Sequence, residues 1–103
     1  MQIGIDLGAS KIEYVLMDDN GNEHQRERVE VPKDYKKTLI IIKDIVIELE
    51  RKVGKELPVG VCHPGIHSIQ TGLVKNAPNS FWINGKPLQR DLRTEIGKEI
   101  YCE

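Results

Sequence analysis

Met1-Gln2-Ile3-Gly4-Ile5-Asp6-Leu7-Gly8-Ala9-Ser10-Lys11 opens the chain. Ile3, Ile5 and Leu7 alternate with Gly4 and Asp6, the period of a half-buried strand. Gly8-Ala9-Ser10 turns the chain, and Lys11 to Met17 reads as the strand that returns beside it. The turn sets the Asp6 carboxylate next to a cluster of backbone N–H groups. A carboxylate can hold Mg²⁺ through water, and clustered N–H groups can hold phosphate oxygens. This stretch therefore points to nucleotide handling.

Working outward, Asp18-Asp19-Asn20-Gly21-Asn22 is the next turn, with Asn20-Gly21 as a hairpin signal. Glu23 to Val31 is a polar third strand at the sheet edge, which completes a three-stranded antiparallel meander. Asp34, after Pro32 and Lys33, can cap a helix. Tyr35, Leu39, Ile42, Val46, Leu49 and Val53 then recur at steps of four and three, one buried helical face. Ile40, Ile41, Ile45 and Ile47 widen that stripe, as core or as an interface; core is the preferred reading. Gly54 suits the left-handed position after the helix. Pro58 to Cys62 is a fourth strand, ended by His63-Pro64-Gly65. A loop-rich stretch with Pro78 and Trp82 runs from Gly65 to Gly85. Leu88 to Gly97 reads as a helix with Leu88, Leu92 and Ile96 on one face, and Glu99 to Glu103 starts a fifth strand. The order βββαβαβ is that of one ribonuclease H-like domain: α/β, a mixed five-stranded sheet, strand order 3-2-1-4-5.

The 103 residues suffice for one domain. Hydrophobic residues are 39% and charged residues 30%, which places the chain among soluble globular proteins. The net charge of -1 provides no basic field, so nucleic acid is not an expected partner. No apolar run approaches the roughly 20 residues of a membrane helix. The chain opens without a basic segment and long apolar run of the secretory kind, so the expected location is cytoplasmic. Cys62 and Cys102 are then expected as free thiols.

Three stretches together resemble the ROK family of sugar kinases, and its fructokinase-like members in particular. They are Ile3 to Lys11; Val59-Gly60-Val61-Cys62-His63-Pro64-Gly65; and Thr71-Gly72-Leu73-Val74-Lys75-Asn76-Ala77-Pro78-Asn79-Ser80-Phe81-Trp82-Ile83-Asn84-Gly85. The third resembles the family's sugar-side loop over most of its length. The resemblance implies an actin-like ATPase fold of two domains, of which residues 1–103 form the N-terminal one. It implies transfer of the ATP γ-phosphate to a hexose hydroxyl. By resemblance, Asp6 stands near Mg²⁺; Gly8, Ala9, Ser10 and Lys11 stand near the phosphates; and Gly65, Asn79 and Ser80 lie against the sugar. Mg-ATP is the implied cofactor, and fructose or mannose the implied hexose. The family's base is an Asp in an Asn-Asp-Ala-Asn-like motif that would begin just after Glu103. No catalytic base is thus assigned in this chain, and the C-terminal domain, with its zinc site in many members, is absent from it. Two positions differ from the family pattern: Gly8-Ala9-Ser10 replaces Gly-Gly-Thr, and His63 stands where an apolar residue is usual. Ala9 would cost about 1 kcal/mol if its position needed positive φ.

Each signal has a plainer reading. Asp6 can cap a turn, and Lys11 can be a solvated strand residue. The loop is not a Walker A motif, since three residues rather than four separate Gly4 from Gly8. Pro64 and Gly65 prevent His63 and His67 from sharing a helix, which disfavours a metal site. Trp82 can stack on a sugar, but anchoring its loop is the preferred reading. Asn79 and Ser80 can bond sugar hydroxyls or satisfy a turn. A two-metal nuclease needs several converging carboxylates, and only Asp6 is well placed. The expectation is therefore the N-terminal part of a hexose kinase, without turnover as an isolated chain. The alternatives are a non-catalytic sugar- or phosphate-binding module, a homodimer through the Ile-rich helix or the open sheet edge, or one half of a split kinase complemented by a C-terminal half.

Overall fold

The computed structural model of the chain describes residues 1–77 and 81–102. Along the chain run β1 (Gln2–Leu7), β2 (Lys11–Met17), β3 (Glu23–Glu30), α1 (Tyr35–Val53), β4 (Val59–Cys62), β5 (Ile66–His67), β6 (Val74–Lys75), α2 (Leu88–Ile96) and β7 (Tyr101–Cys102). The main sheet has the order β3-β2-β1-β4-β7, with β7 as the anticipated fifth strand. β1 pairs antiparallel with β2 and parallel with β4, and β7 pairs parallel with β4.

The alternation seen in the opening residues is the alternation of burial. Ile3, Ile5 and Leu7 are buried, as are Ile12 and Leu16 on β2 and Val59 and Val61 on β4. They meet Leu39, Ile42, Val46 and Leu49 of α1 and Leu88 and Leu92 of α2 in one core. Removing a side chain of this size from water is worth about 2 kcal/mol. α1 starts where Asp34 accepts a hydrogen bond from the Lys37 N–H at 2.9 Å. It stops at Gly54, whose φ of 87° lets its N–H reach the Glu50 carbonyl. The wide isoleucine stripe divides: Ile45 is buried and Ile41 half-buried, while Ile40 and Ile47 are 40% and 39% exposed. Most of the stripe is therefore core.

The two helices and the loop between α1 and β4 are tied by polar contacts. The Tyr35 hydroxyl donates to Asp91 Oδ2 at 2.8 Å. Burial, and then that carboxylate, push the Tyr35 phenol far above its ordinary value. The Glu50 carboxylate accepts from the Leu57 N–H at 2.7 Å and pairs with Lys98 in a half-buried site. Among the described residues no helix is long and apolar enough to cross a membrane.

Of two local features, one follows the sequence reading and one departs from it. The β2–β3 connection is the turn read at Asp18 to Asn22, between Met17 and Glu23. Only Gly21 has positive φ there, and Asp18 holds the turn by accepting from the Asn20 and Asn22 N–H groups. The stretch read as loop holds a small antiparallel hairpin, β5 with β6, and a 3₁₀ turn at Phe81–Ile83. Strands of two residues have no periodicity to read. Trp82 and Ile83 are buried in the core, so Trp82 is the anchor.

Ile42→Ala should cost about 3 kcal/mol in urea unfolding, because Ile42 is fully buried against sheet and helix. Asp18 should titrate near 2 by carboxyl NMR, held down first by His24 and then by the Asn22 N–H. His24→Ala should raise that midpoint toward 3.8. Since the folded value lies below the unfolded one, Asp18 supports the fold above its ordinary value and loses that role as pH falls through about 2.

Candidate functional site

The pleat that buries Ile3, Ile5 and Leu7 turns Gly4 and Asp6 to the other face of β1. Across the sheet Asp6 stands beside Glu13 of β2 and Cys62 of β4. A cavity of about 360 Å³ opens here, lined by Gly4, Asp6, Glu13, Gly60, Cys62 and Tyr101 among others. Glu13 is committed: Arg26 and Arg28 both pair with it, and the Arg26 hydrogen bond is the main cause of its lowered pKa. Asp6 is exposed and has no ion-pair partner among the described residues. One carboxylate is thus neutralised, and the next stands free at the end of its strand.

The turn after Asp6 is closed by the Gly8 N–H donating to the Lys11 carbonyl at 2.9 Å. A Cβ on Gly8 would sit 2.9 Å from that same oxygen. Gly8 is needed for close approach, not for positive φ. Ala9 has no positive φ either, so it carries no conformational cost. The N–H groups of Ala9 and Ser10 form no hydrogen bond among the described residues, while the Ser10 carbonyl accepts from Val31 at 3.0 Å. A carboxylate can accept from the water shell of Mg²⁺ and unbonded N–H groups can donate to phosphate oxygens, and this turn carries both kinds of group. Lys11 instead pairs with Glu30 at 3.3 Å, an exposed pair of small energetic weight.

Gly65 follows Cys62 by three residues, at most about 11 Å of chain from Cys62, which pairs with Asp6 across the sheet. Its φ is 81°, and a Cβ there would lie 2.5 Å from the Lys75 carbonyl. The turn therefore packs directly on the β6 strand, and no side chain fits between. His63 is buried, with Nδ1 2.9 Å from the Pro64 carbonyl oxygen. Asn79 and Ser80, the other two residues read as sugar contacts, lie outside the described residues. Asn84 was missed by sequence reading. Its amide accepts from the Ala77 N–H at 2.9 Å and donates to the Ala77 carbonyl at 3.0 Å, which fixes the chain at Ala77. An Asn two residues after a buried Trp was the only signal for it.

Cys62 is exposed and Cys102 half-buried, and both are free thiols. Burial pushes the Cys102 thiol up to about 11. Among the described residues no group of three or more His, Cys, Asp or Glu side chains could hold a metal ion. Mg²⁺ does not need such a group, since it commonly keeps waters and phosphate oxygens and takes one or two carboxylates. The Asp6 turn fits that habit.

The model of the ROK family matches residues 2–103. The N-acetyl-D-glucosamine kinase of Haemophilus influenzae is 36% identical over 104 residues, which cover 100% of this chain and 34% of that enzyme. The ROK hexokinase of Thermus thermophilus superposes with a TM-score of 0.82 at 23% identity, covering 99% of this chain and 34% of that one. A ROK glucokinase from Streptomyces griseus, solved with glucose and AMPPNP, gives 0.82 at 24% identity and covers 99% and 32%. The chain spans about a third of the length of the relatives it matches.

Gly65→Ala should destabilise the chain by more than about 2 kcal/mol in urea unfolding, since strain at positive φ and a backbone clash act together. Ala9→Gly should leave stability equal or slightly lower, because no strain at Ala9 waits to be relieved.

Proposed function

The chain belongs to the ROK family, and from that premise we propose that it is the N-terminal, phosphate-loop domain of an ATP-dependent kinase acting on N-acetyl-D-glucosamine. The observation that carries the reading is the free Asp6 carboxylate beside the unbonded Ala9 and Ser10 N–H groups. The sugar follows from the name of the Haemophilus influenzae relative. It takes precedence here over the fructose or mannose implied by the sequence resemblance, which become comparison substrates. ATP as donor is supported by family membership and by the AMPPNP bound in the Streptomyces griseus glucokinase. A cytoplasmic setting, where ATP is supplied, accompanies the reading.

Phosphoryl transfer is mostly positioning and charge stabilisation. Mg²⁺, when bound, offsets negative charge on the phosphates. In this chain Asp6 would hold the ion through its water shell, and the Ala9 and Ser10 N–H groups would donate to phosphate oxygens. Gly8 keeps the turn tight enough for its backbone to approach an anion. By the family resemblance, Gly65 would bring backbone close to the sugar, and Asn79 and Ser80 would bond its hydroxyls. The proton on the attacking hydroxyl is taken by a base outside residues 1–103. The isolated chain with ATP, Mg²⁺ and sugar therefore gives no sugar phosphate.

The test is a chimera that joins residues 1–103 to the remaining two thirds of the Haemophilus influenzae relative. It should phosphorylate N-acetyl-D-glucosamine in preference to glucose, fructose and mannose. Asp6→Ala in that chimera should lower kcat by roughly hundredfold or more. A folded chimera inactive on all four sugars, or one indifferent to Asp6→Ala, would overturn the proposal.

A further inference from the structure

Five exposed cations gather where the two helices begin. Lys33, Lys36 and Lys37 surround the start of α1, and Lys86 and Arg90 the start of α2. Side-chain contacts hold the two starts together. The Tyr35 hydroxyl donates to Asp91, Arg90 pairs with the same carboxylate at 3.2 Å, and the Lys86 ammonium lies 5.5 Å from the centre of the Tyr35 ring. The two carboxylates in these segments are both engaged, Asp34 by the Lys37 N–H and Asp91 by Tyr35 and Arg90. In a chain of net charge -1 this is a local excess of positive charge.

Stability does not account for the three lysines at α1. Lys33 holds φ at 54°, a left-handed backbone that glycine or asparagine adopts more readily. Lys36 and Lys37 stand in the first turn of α1, which contains no acidic residue, although the dipole of a helix favours negative charge there. Lys37 is the third helical residue after the Asp34 cap, a position where glutamate would reach back to the cap backbone. Each lysine occupies a place where a different residue would serve the fold better. A basic cluster kept against local preference fits an anion.

The cluster also adjoins the Gly8-Ala9-Ser10 turn. β3 ends at Glu30, opposite Lys11, and the next residue, Val31, donates its N–H to the Ser10 carbonyl at 3.0 Å. Lys33 is two residues on, at most about 7 Å of chain from Val31. That is within the roughly 8 Å over which charges act at physiological salt. We propose that this cluster is a capture site for the phosphate chain of the incoming nucleotide, drawing the anion to the end of the sheet where the Ser10 turn receives it. The proposal rests on the kinase reading for its ligand, and on the charge cluster for its route. A nucleoside triphosphate suits the cluster because its negative charge is concentrated on one short chain, on the scale of the 8–10 Å or so between packed helices. A nucleic acid would need a longer basic track. Steering of this kind acts on the rate of association.

The probe is the fluorescent analogue mant-ATP with Mg²⁺, mixed in stopped flow with the chimera of residues 1–103 and the remaining two thirds of the Haemophilus influenzae relative. Two variants of equal net charge are compared with the parent. One carries Lys33→Gln, Lys36→Gln and Lys37→Gln. The other carries Arg51→Gln, Lys52→Gln and Lys55→Gln, exposed positions at and just past the far end of α1. Circular dichroism checks the fold of both. The first variant should associate about five- to tenfold more slowly at low salt, with dissociation within about twofold of the parent, and the difference should vanish at about 0.5 M salt. The second should associate at the parent rate. Equal slowing in both variants, a change confined to dissociation, or slowing that persists at high salt would overturn the capture site. Nucleotide uptake at one rate in all three chimeras would remove the capture site alone, whereas a parent chimera that takes up no mant-ATP would overturn the kinase reading and the capture site together.

Discussion

The parallel pairing of β1 with β4, Ile3 to Asp6 against Val59 to Cys62, is the contact on which the domain depends. Parallel strands cannot be joined by a tight turn, so the chain must cross over between them, and α1 is the main part of that crossover. A helix there needs an apolar stripe, and its stripe needs the Ile3, Ile5 and Leu7 face to lie on. The same pairing sets Asp6 and Cys62 side by side at the carboxyl ends of their strands, where ligands bind in open α/β sheets. Core and candidate site are thus opposite faces of one strand.

That coupling explains why much of the fold could be read from the sequence. The alternation in β1, the steps of four and three in α1, and the caps Asp34 and Gly54 are local signals that packing leaves intact. The strand order follows from connection lengths: turns between the first three strands, helices before the last two. The β5–β6 hairpin was not legible, because its two-residue strands are defined by a close contact between Gly65 and Lys75 rather than by side-chain pattern. The turn from Asp18 to Asn22 was legible, but not that the Asp18 carboxylate holds it by collecting two N–H groups, since those bonds form only on folding.

In the candidate site, Asp6 and Gly8 stood out because a strand period and a glycine turn coincide there. Sequence showed Ala9 both as a phosphate-loop position by resemblance and as a departure from the family pattern, and backbone geometry removes its cost. The roles of Glu13 and Asn84 were invisible, since each depends on partners brought in by folding: Arg26 and Arg28 for one, Ala77 for the other.

The central claim is that the Asp6 turn receives the phosphates of a nucleotide. Amide NMR of the chain, labelled and joined to the remaining two thirds of its Haemophilus influenzae relative, addresses this directly on addition of Mg-AMPPNP. The account predicts that the largest shift changes in residues 1–103 fall on Gly8, Ala9, Ser10 and Lys11. Nucleotide binding that leaves those four amides unmoved would contradict it.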